Sequence, residues 1–368
     1  MSSISLFKEF DKVSKEEWLA KILTDRKGGD VVEDLDWSFE GINTTPFYHS
    51  EDLPSENPHL GLNKSNNSWQ IGERIVASKP VDSNRIILDA LGQGASAINI
   101  DLTITQEEDI KRIFSEVQHE WISTHLNLRN IDNPLQGIKS FCSVVKSRGQ
   151  NNSVIKGSID ISIDDSSYKG LLKDIFSLLP LFRVKISSLE IEDESSVEVL
   201  VSILTKTYSL FQLGQENRIG LDVLFSKLQY AITVRDNYYR NIVLLRSIRL
   251  LVSQLCSIYN VEDEPSIIIE TWLKESDQSN DANYNLIKNT SQILGAVIGG
   301  GDIIYPMTYS ESMQEETHNH RISRNINHVL QLESYMDRVV DPAAGSYFFE
   351  SMTDRLCKKA WGEFQNRV

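Results

Sequence analysis

Ile86-Ile87-Leu88-Asp89-Ala90-Leu91, then Gly92-Gln93-Gly94, then Ala97-Ile98-Asn99-Ile100-Asp101-Leu102 is the stretch on which the fold turns. The first run reads as helix, the paired glycines as a turn, and the last run, rich in β-branched residues, as a strand. From about Ser83 onward the same texture recurs. Helical periods are expected at Ile110 to Ile122, Leu171 to Leu179, Val197 to Phe211 and Tyr284 to Leu294, and over most of Val223 to Tyr259. In the last of these, Ile242, Leu245, Ile248, Val252 and Leu255 recur at three-to-four spacing and define a buried face. Further strands are expected at Ser140 to Val145, Lys156 to Ile163, Phe182 to Ser187, Ile267 to Glu270 and Ile303 to Tyr305. Repeated βα units over so long a stretch fit an α/β fold, a closed (β/α)8 TIM barrel, better than an open sheet.

Upstream the texture differs. Lys15 to Leu23 places Trp18, Leu19, Ile22 and Leu23 at helical spacing before Gly28-Gly29. Trp37 to Leu60 mixes aromatics with Pro46, Pro54 and Pro58, a composition that favours extended chain. Asn63 to Ser68 is polar and reads as an exposed loop. This divides the chain into an N-terminal helical and extended arm, residues 1–80, and a barrel domain, residues 81–368. The arm is expected to lie across a partner or along the barrel.

With 40% hydrophobic and 24% charged residues, the composition is that of a globular protein with a sizeable core. A net charge of -15 argues against nucleic acid as the main partner, since phosphate binding draws on clustered Lys and Arg. Met1 to Phe10 lacks the apolar core of a signal peptide, and no stretch is read as a run of the roughly 20 apolar residues that span a bilayer. No membrane partner and a cytoplasmic location are therefore expected. Cys142, Cys256 and Cys357 form no CxxC pair and read as buried thiols.

The C-terminal third contains four ordered blocks. They are Asn289-Thr290 with Ala296-Val297-Ile298-Gly299-Gly300, then Arg321-Ile322-Ser323-Arg324-Asn325, then Asp341-Pro342-Ala343-Ala344-Gly345-Ser346-Tyr347, then Glu350 with Thr353. This order resembles the signature of methylmalonyl-CoA mutases. Upstream, Glu40-Gly41-Ile42, Pro46-Phe47-Tyr48 and Glu51-Asp52-Leu53 resemble the family's arm, and Asn237-Tyr238-Tyr239 with Arg246 and Arg249 resembles its long aromatic and arginine helix. The resemblance covers nearly the whole chain, thinly from Leu60 to Arg183, and implies the family's substrate-binding barrel.

The resemblance also implies lost chemistry. In catalytic subunits a Tyr-His pair follows an Ile-Ser-Gly segment and helps hold the thioester and cobalamin; here Ile186-Ser187-Ser188 is followed by Leu189-Glu190. Leucine offers no donor to a carbonyl, and Glu190 opens an acidic run with Glu192, Asp193, Glu194 and Glu198, expected to repel coenzyme A phosphates. Asn241 and Leu244 replace an acidic and a basic residue, Tyr305 stands where the catalytic pattern has histidine, and the family's Arg-Gly substrate-access run has no counterpart around Ser68 to Lys79. No catalytic or cofactor-binding residue is therefore assigned. None of the seven histidines sits in the cobalamin frame Asp-x-His-x-x-Gly, and no flavodoxin-like cobalamin domain is expected.

Other motifs have plainer readings. His318-x-His320 with His328 and Glu315/Glu316 has the residue types of a metal site, but residues two apart on a helix face different sides, so exposed or capping roles are expected and no metal is assigned. Gly299-Gly300-Gly301 has no phosphate-loop frame around it. Arg246 and Arg249 are expected to pair with barrel carboxylates. The resemblance, with its departures from the catalytic pattern, implies the small, non-catalytic chain of a heterodimeric mutase interconverting (R)-methylmalonyl-CoA and succinyl-CoA. Its large catalytic partner would hold the adenosylcobalamin. Two rivals remain at this stage: a self-sufficient acyl-CoA mutase barrel working with a separate cobalamin-binding chain, and a dissociable assembly module.

Overall fold

The computed structural model describes residues 11, 13–25, 35, 37–53, 64–161, 170–191, 195–261, 267–310 and 316–368. The arm contributes helix α1 (Lys15–Asp25) and a two-stranded antiparallel ribbon, β1 (Ser38–Phe39) and β2 (Ile42–Asn43). The barrel then runs β3 (Gln70–Ala77), α2 (Pro80–Gly92), β4 (Ala97–Leu102), α3 (Glu107–Ile113), β5 (Ser123–Asn127), α4 (Pro134–Ser147), β6 (Lys156–Asp160), α5 (Leu171–Leu178) and β7 (Phe182–Ser187). It continues through α6 (Ser196–Glu216), α7 (Leu221–Ser226), β8 (Leu228–Val234), α8 (Tyr238–Ile258), β9 (Ile268–Leu273), α9 (Ala282–Ile298), β10 (Ile303–Tyr305) and α10 (Glu316–His328), and ends in α11 (Tyr347–Arg367). Strands β3 to β10 are all parallel and close on themselves, β10 pairing with both β9 and β3.

The eight strands make the expected barrel, but three of them were not expected. β3 carries Glu73 and Gly72 among its apolar residues, β5 (Ser-Thr-His-Leu-Asn) has one large aliphatic, and β8 sits inside a long apolar stretch whose helical and strand parts share one composition. Val223 to Tyr259 is mostly helical, as expected, but β8 divides it into two helices, α7 and α8. The barrel starts at Gln70, ahead of position 81, since β3 closes the sheet against β10. Ser140 to Val145 is helix, not strand: Asn133 caps α4 by accepting from the Gln136 amide, Pro134 opens it, and Ile138, Phe141, Cys142 and Val145 fall on its buried face. Helix α3 ends at Ile113, well short of Ile122. In the expected exposed loop, Asn67 is fully buried, its amide directed at the carbonyls of Val297 (3.4 Å) and Met336 (3.0 Å). Gly28-Gly29 and residues 54–63 lie outside the described residues.

Alternation along the strands separates two environments. On β4, Ile98, Ile100 and Leu102 face the helices and join a core with Ile110, Ile113 and Phe141. Ala97 packs instead with Ile303, Tyr305, Ile268 and Trp272 along the axis. Helix α8 is long and apolar enough to cross a membrane, against the sequence expectation; 72% of its apolar window is buried. It is a core helix: Arg246 pairs with Asp341 and, at 2.9 Å, Glu350, while Arg249 binds the Gly300 carbonyl and Asp302, each at 2.6 Å. Both arginines thus make the expected structural pairs, and the Asp341 block fastens α11 to the barrel.

Candidate functional site

The C-terminal ends of the strands form the face on which barrel enzymes work. Just below that rim, the axis is filled by the chain's own side chains. Lys185 on β7 donates to Glu270 on β9 at 2.7 Å, with both groups fully buried. The same carboxylate accepts from Gln229 at 2.6 Å and from the Trp272 indole at 3.0 Å. Gln229 reaches across to His125 (3.3 Å), whose ring meets Ser158 at 2.8 Å. Burial, with Lys185 nearby, holds His125 well below the usual histidine range.

Tyr305 completes the closure. Its ring stacks on Trp272 with centroids 4.0 Å apart and 12° between planes, and lies flat against Gly72, where a Cβ would fall 2.5 Å from two ring carbons. Only glycine lets the ring lie there. Burial first, and then the Glu270 carboxylate, push the phenol well above its ordinary pKa, so it stays neutral.

Above this plug the rim is laced by ion pairs. Arg74 binds Asp101 (2.8 Å), Asn127 donates to the same Asp101 (2.9 Å), and Arg129 binds Asp160 (2.6 Å) and Glu190. Lys206 donates to the Ser187 carbonyl (2.7 Å) and stands 3.5 Å from Glu190. Burial acts to raise the Glu190 carboxyl, but Arg129 and then Lys206 outweigh it and hold the group below the usual carboxylate range. Glu198 pairs with Arg367 at 2.8 Å. The expected repulsive acidic face is therefore corrected at Glu190 and Glu198, because cations from the segment after β5, from α6 and from α11 neutralise them; Glu192, Asp193 and Glu194 lie outside the described residues.

The positions singled out in the sequence do not converge. Leu189 and Glu190 follow β7 at the rim, and Tyr305 lies in the axis. Asn241 is buried in α8, where it clasps the Arg235 backbone with both amide atoms at 3.0 and 2.8 Å, and Leu244 is core. His320 turns to Glu73 (2.7 Å), His318 to Arg321, and His328 packs over Gly94. Sequence reading missed Lys185, Glu270, Arg129 and Lys206. A signal existed for the first two: a lysine and a glutamate each inside an expected strand, which burial obliges to find partners.

The methylmalonyl-CoA mutase family matches residues 180–367. The methylmalonyl-CoA mutase small subunit of Porphyromonas gingivalis is 26% identical over 98% of this chain and 63% of its own length. That of Propionibacterium freudenreichii subsp. shermanii is 21% identical over 99% of this chain and 63% of its own length. The methylmalonyl-CoA mutase of Rhizobium meliloti is 24% identical over 71% of this chain and 40% of its own length. This chain thus spans about 63% of the small subunits it matches. The matched residues cover β7 to α11, including the Lys185 plug and the Arg246–Asp341 lock, and the chain belongs to the methylmalonyl-CoA mutase family.

Proposed function

We propose that this chain is the small, non-catalytic subunit of a methylmalonyl-CoA mutase, supporting a larger chain that interconverts (R)-methylmalonyl-CoA and succinyl-CoA. The observation that carries the reading is the closed axis. A thioester needs hydrogen-bond donors and room, and here Tyr305, Trp272, Lys185 and Glu270 occupy the room, while the Lys185 and Trp272 donors are spent on the Glu270 carboxylate. Leu189 and the Arg129-bound Glu190 supply no donor at the rim. The residues present do not fit an acyl-CoA or the adenosylcobalamin of the family, and no reaction step is assigned to them. The small-subunit relatives support the same reading.

The cofactor would then be held by the larger chain, the pair would form a stable heterodimer, and both would reside in the cytoplasm. The -15 charge accords with a protein partner rather than nucleic acid. Purified chain is given (R)-methylmalonyl-CoA and adenosylcobalamin, with and without the larger mutase chain of the same source. Succinyl-CoA is expected only when the larger chain is present, and the two should co-elute. Turnover by this chain with a small cobalamin-binding protein alone would overturn the proposal.

A further inference from the structure

A cleft of about 450 Å³ opens on the flank of the rim, between the short turn Glu275–Asp277 after β9, the start of α9, and the segment Met307 to Ser310 after β10. None of the plug residues lines it. Three buried asparagines fix the wall after β10 by donating to its carbonyls: Asn285 to Tyr309 (3.1 Å), Asn289 to Met307 (3.0 Å) and Asn319 to Ser310 (3.2 Å). Asn285 also accepts from the Ser279 amide and hydroxyl at 2.7 and 3.0 Å, and Gln278 donates to Asn289 at 2.8 Å, so the facing wall hangs on the same network. The shape of the cleft is therefore set before anything binds.

The chemistry of the lining selects its guest. Glu275, Asn280, Thr308 and Tyr309 line the cleft with side-chain polar atoms that bond to no other described residue, and the Gln278 Oε1 is buried without a partner. An anion does not suit them. Glu275 is the one charged side chain among the described lining residues, Arg235 and Lys288 are spent on Asp277 (3.2 Å) and Asp236 (3.1 Å), and the α9 amides of Asn283 and Tyr284 already bond Asp281 (2.9 and 3.2 Å). A metal ion would want further carboxylates, and no group of three metal-ligating side chains occurs among the described residues. An apolar guest would strip water from these polar groups and replace none of their bonds. What fits is a neutral guest with several hydroxyls, each able to donate to a carboxylate or amide oxygen and to accept from a hydroxyl, with a C–H face for the less polar flank that Met307 and Tyr309 add.

We infer that this cleft binds a small neutral polyol the size of one or two sugar rings, with the Glu275 carboxylate accepting from two neighbouring hydroxyls. Its volume lies within the roughly 300–1,000 Å³ of small-molecule sites. The inference is independent of the small-subunit reading, because neither the plug nor Leu189 and Glu190 take part in the cleft.

The test is calorimetric titration of the whole chain with D-glucose, maltose and myo-inositol, compared with D-gluconate, D-glucosamine and cyclohexanol. It is repeated on Glu275→Ala, Glu275→Gln and, as a control across the barrel on α5, Asp174→Ala; both positions are exposed, and unchanged thermal unfolding verifies the fold. At least one neutral polyol should bind saturably with a Kd of about 1 mM or tighter, and gluconate and cyclohexanol about tenfold or more weakly. Glu275→Ala should weaken the polyol about tenfold or more, Glu275→Gln should recover part of the loss through its remaining acceptor, and Asp174→Ala should stay within about twofold of the parent. No saturable binding of any neutral probe up to about 30 mM refutes the inference. Binding unmoved by Glu275→Ala puts the polyol elsewhere and overturns it. Tighter binding of gluconate than of glucose would make the cleft an anion site, and a more than about tenfold preference for glucosamine over glucose an ammonium site; either result also overturns it.

Discussion

Substituting Gly72 by alanine probes the axial plug most directly, because the added atom has nowhere to go. A Cβ there falls 2.5 Å from two carbons of the Tyr305 ring and 2.9 Å from a third, and the ring is held from behind by Trp272 at 4.0 Å. Overpacking of this kind costs about 2 kcal/mol, within a range of about 1–3. Tyr305→Ala alone removes a buried aromatic and leaves a cavity, a loss of about 3–5 kcal/mol. In the Tyr305→Ala background the new methyl meets empty space. Gly72→Ala then becomes neutral or stabilising by about 0.5 kcal/mol, as less backbone freedom is lost on folding. The two changes should therefore couple by about 2–3 kcal/mol, read from urea unfolding of the four proteins by circular dichroism. Additivity within about 0.5 kcal/mol would refute the claim that Gly72 exists to seat Tyr305.

The Lys185–Glu270 pair gives a second cycle. Lys185→Met strands a buried carboxylate and should cost about 3–5 kcal/mol, while Lys185→Met with Glu270→Gln removes the stranded charge, keeps an acceptor for one of Gln229 and Trp272, and should recover more than half of that loss in denaturant titrations. A double variant no more stable than Lys185→Met would sink this assignment. His119, between Phe114 and Phe141, has a pKa lowered to about 3, by burial and then by Arg148. A group with a depressed folded pKa binds its proton more readily when unfolded. Its contribution is thus full above about pH 6.5 and drains away as pH falls toward 3, by up to about 1.4 kcal/mol per pH unit. His119→Phe should flatten that acid limb of the stability curve, and an unchanged slope would assign it to other groups.

Much of the fold was legible, and the parts that were not share a cause. Ala97–Leu102, Phe182–Ser187 and Ile303–Tyr305 were read at their observed bounds because each is a short β-branched run between turns. β5 was missed because His125, Ser123 and Asn127 face a polar axis, so the usual apolar signal is absent from that side. β8 was hidden because both of its neighbours in sequence are apolar helices. The Asn133-Pro134 cap starts a helix through Ser140 to Val145 and there overrides local β-propensity.

At the site, the sequence alone determined which positions depart from the catalytic pattern, since residue type decides whether a side chain can donate to a thioester. It also determined the family blocks, whose residues recur in order. Only the tertiary structure decided what fills the barrel axis. Lys185 and Glu270 are far apart in sequence, and strand register and barrel shear bring them to 2.7 Å. The same closure lays Tyr305 on Gly72, and it turns Glu190 from a repulsive charge into the partner of Arg129 and Lys206. Charge and volume at a barrel axis are properties of eight strands at once. No single strand contains them.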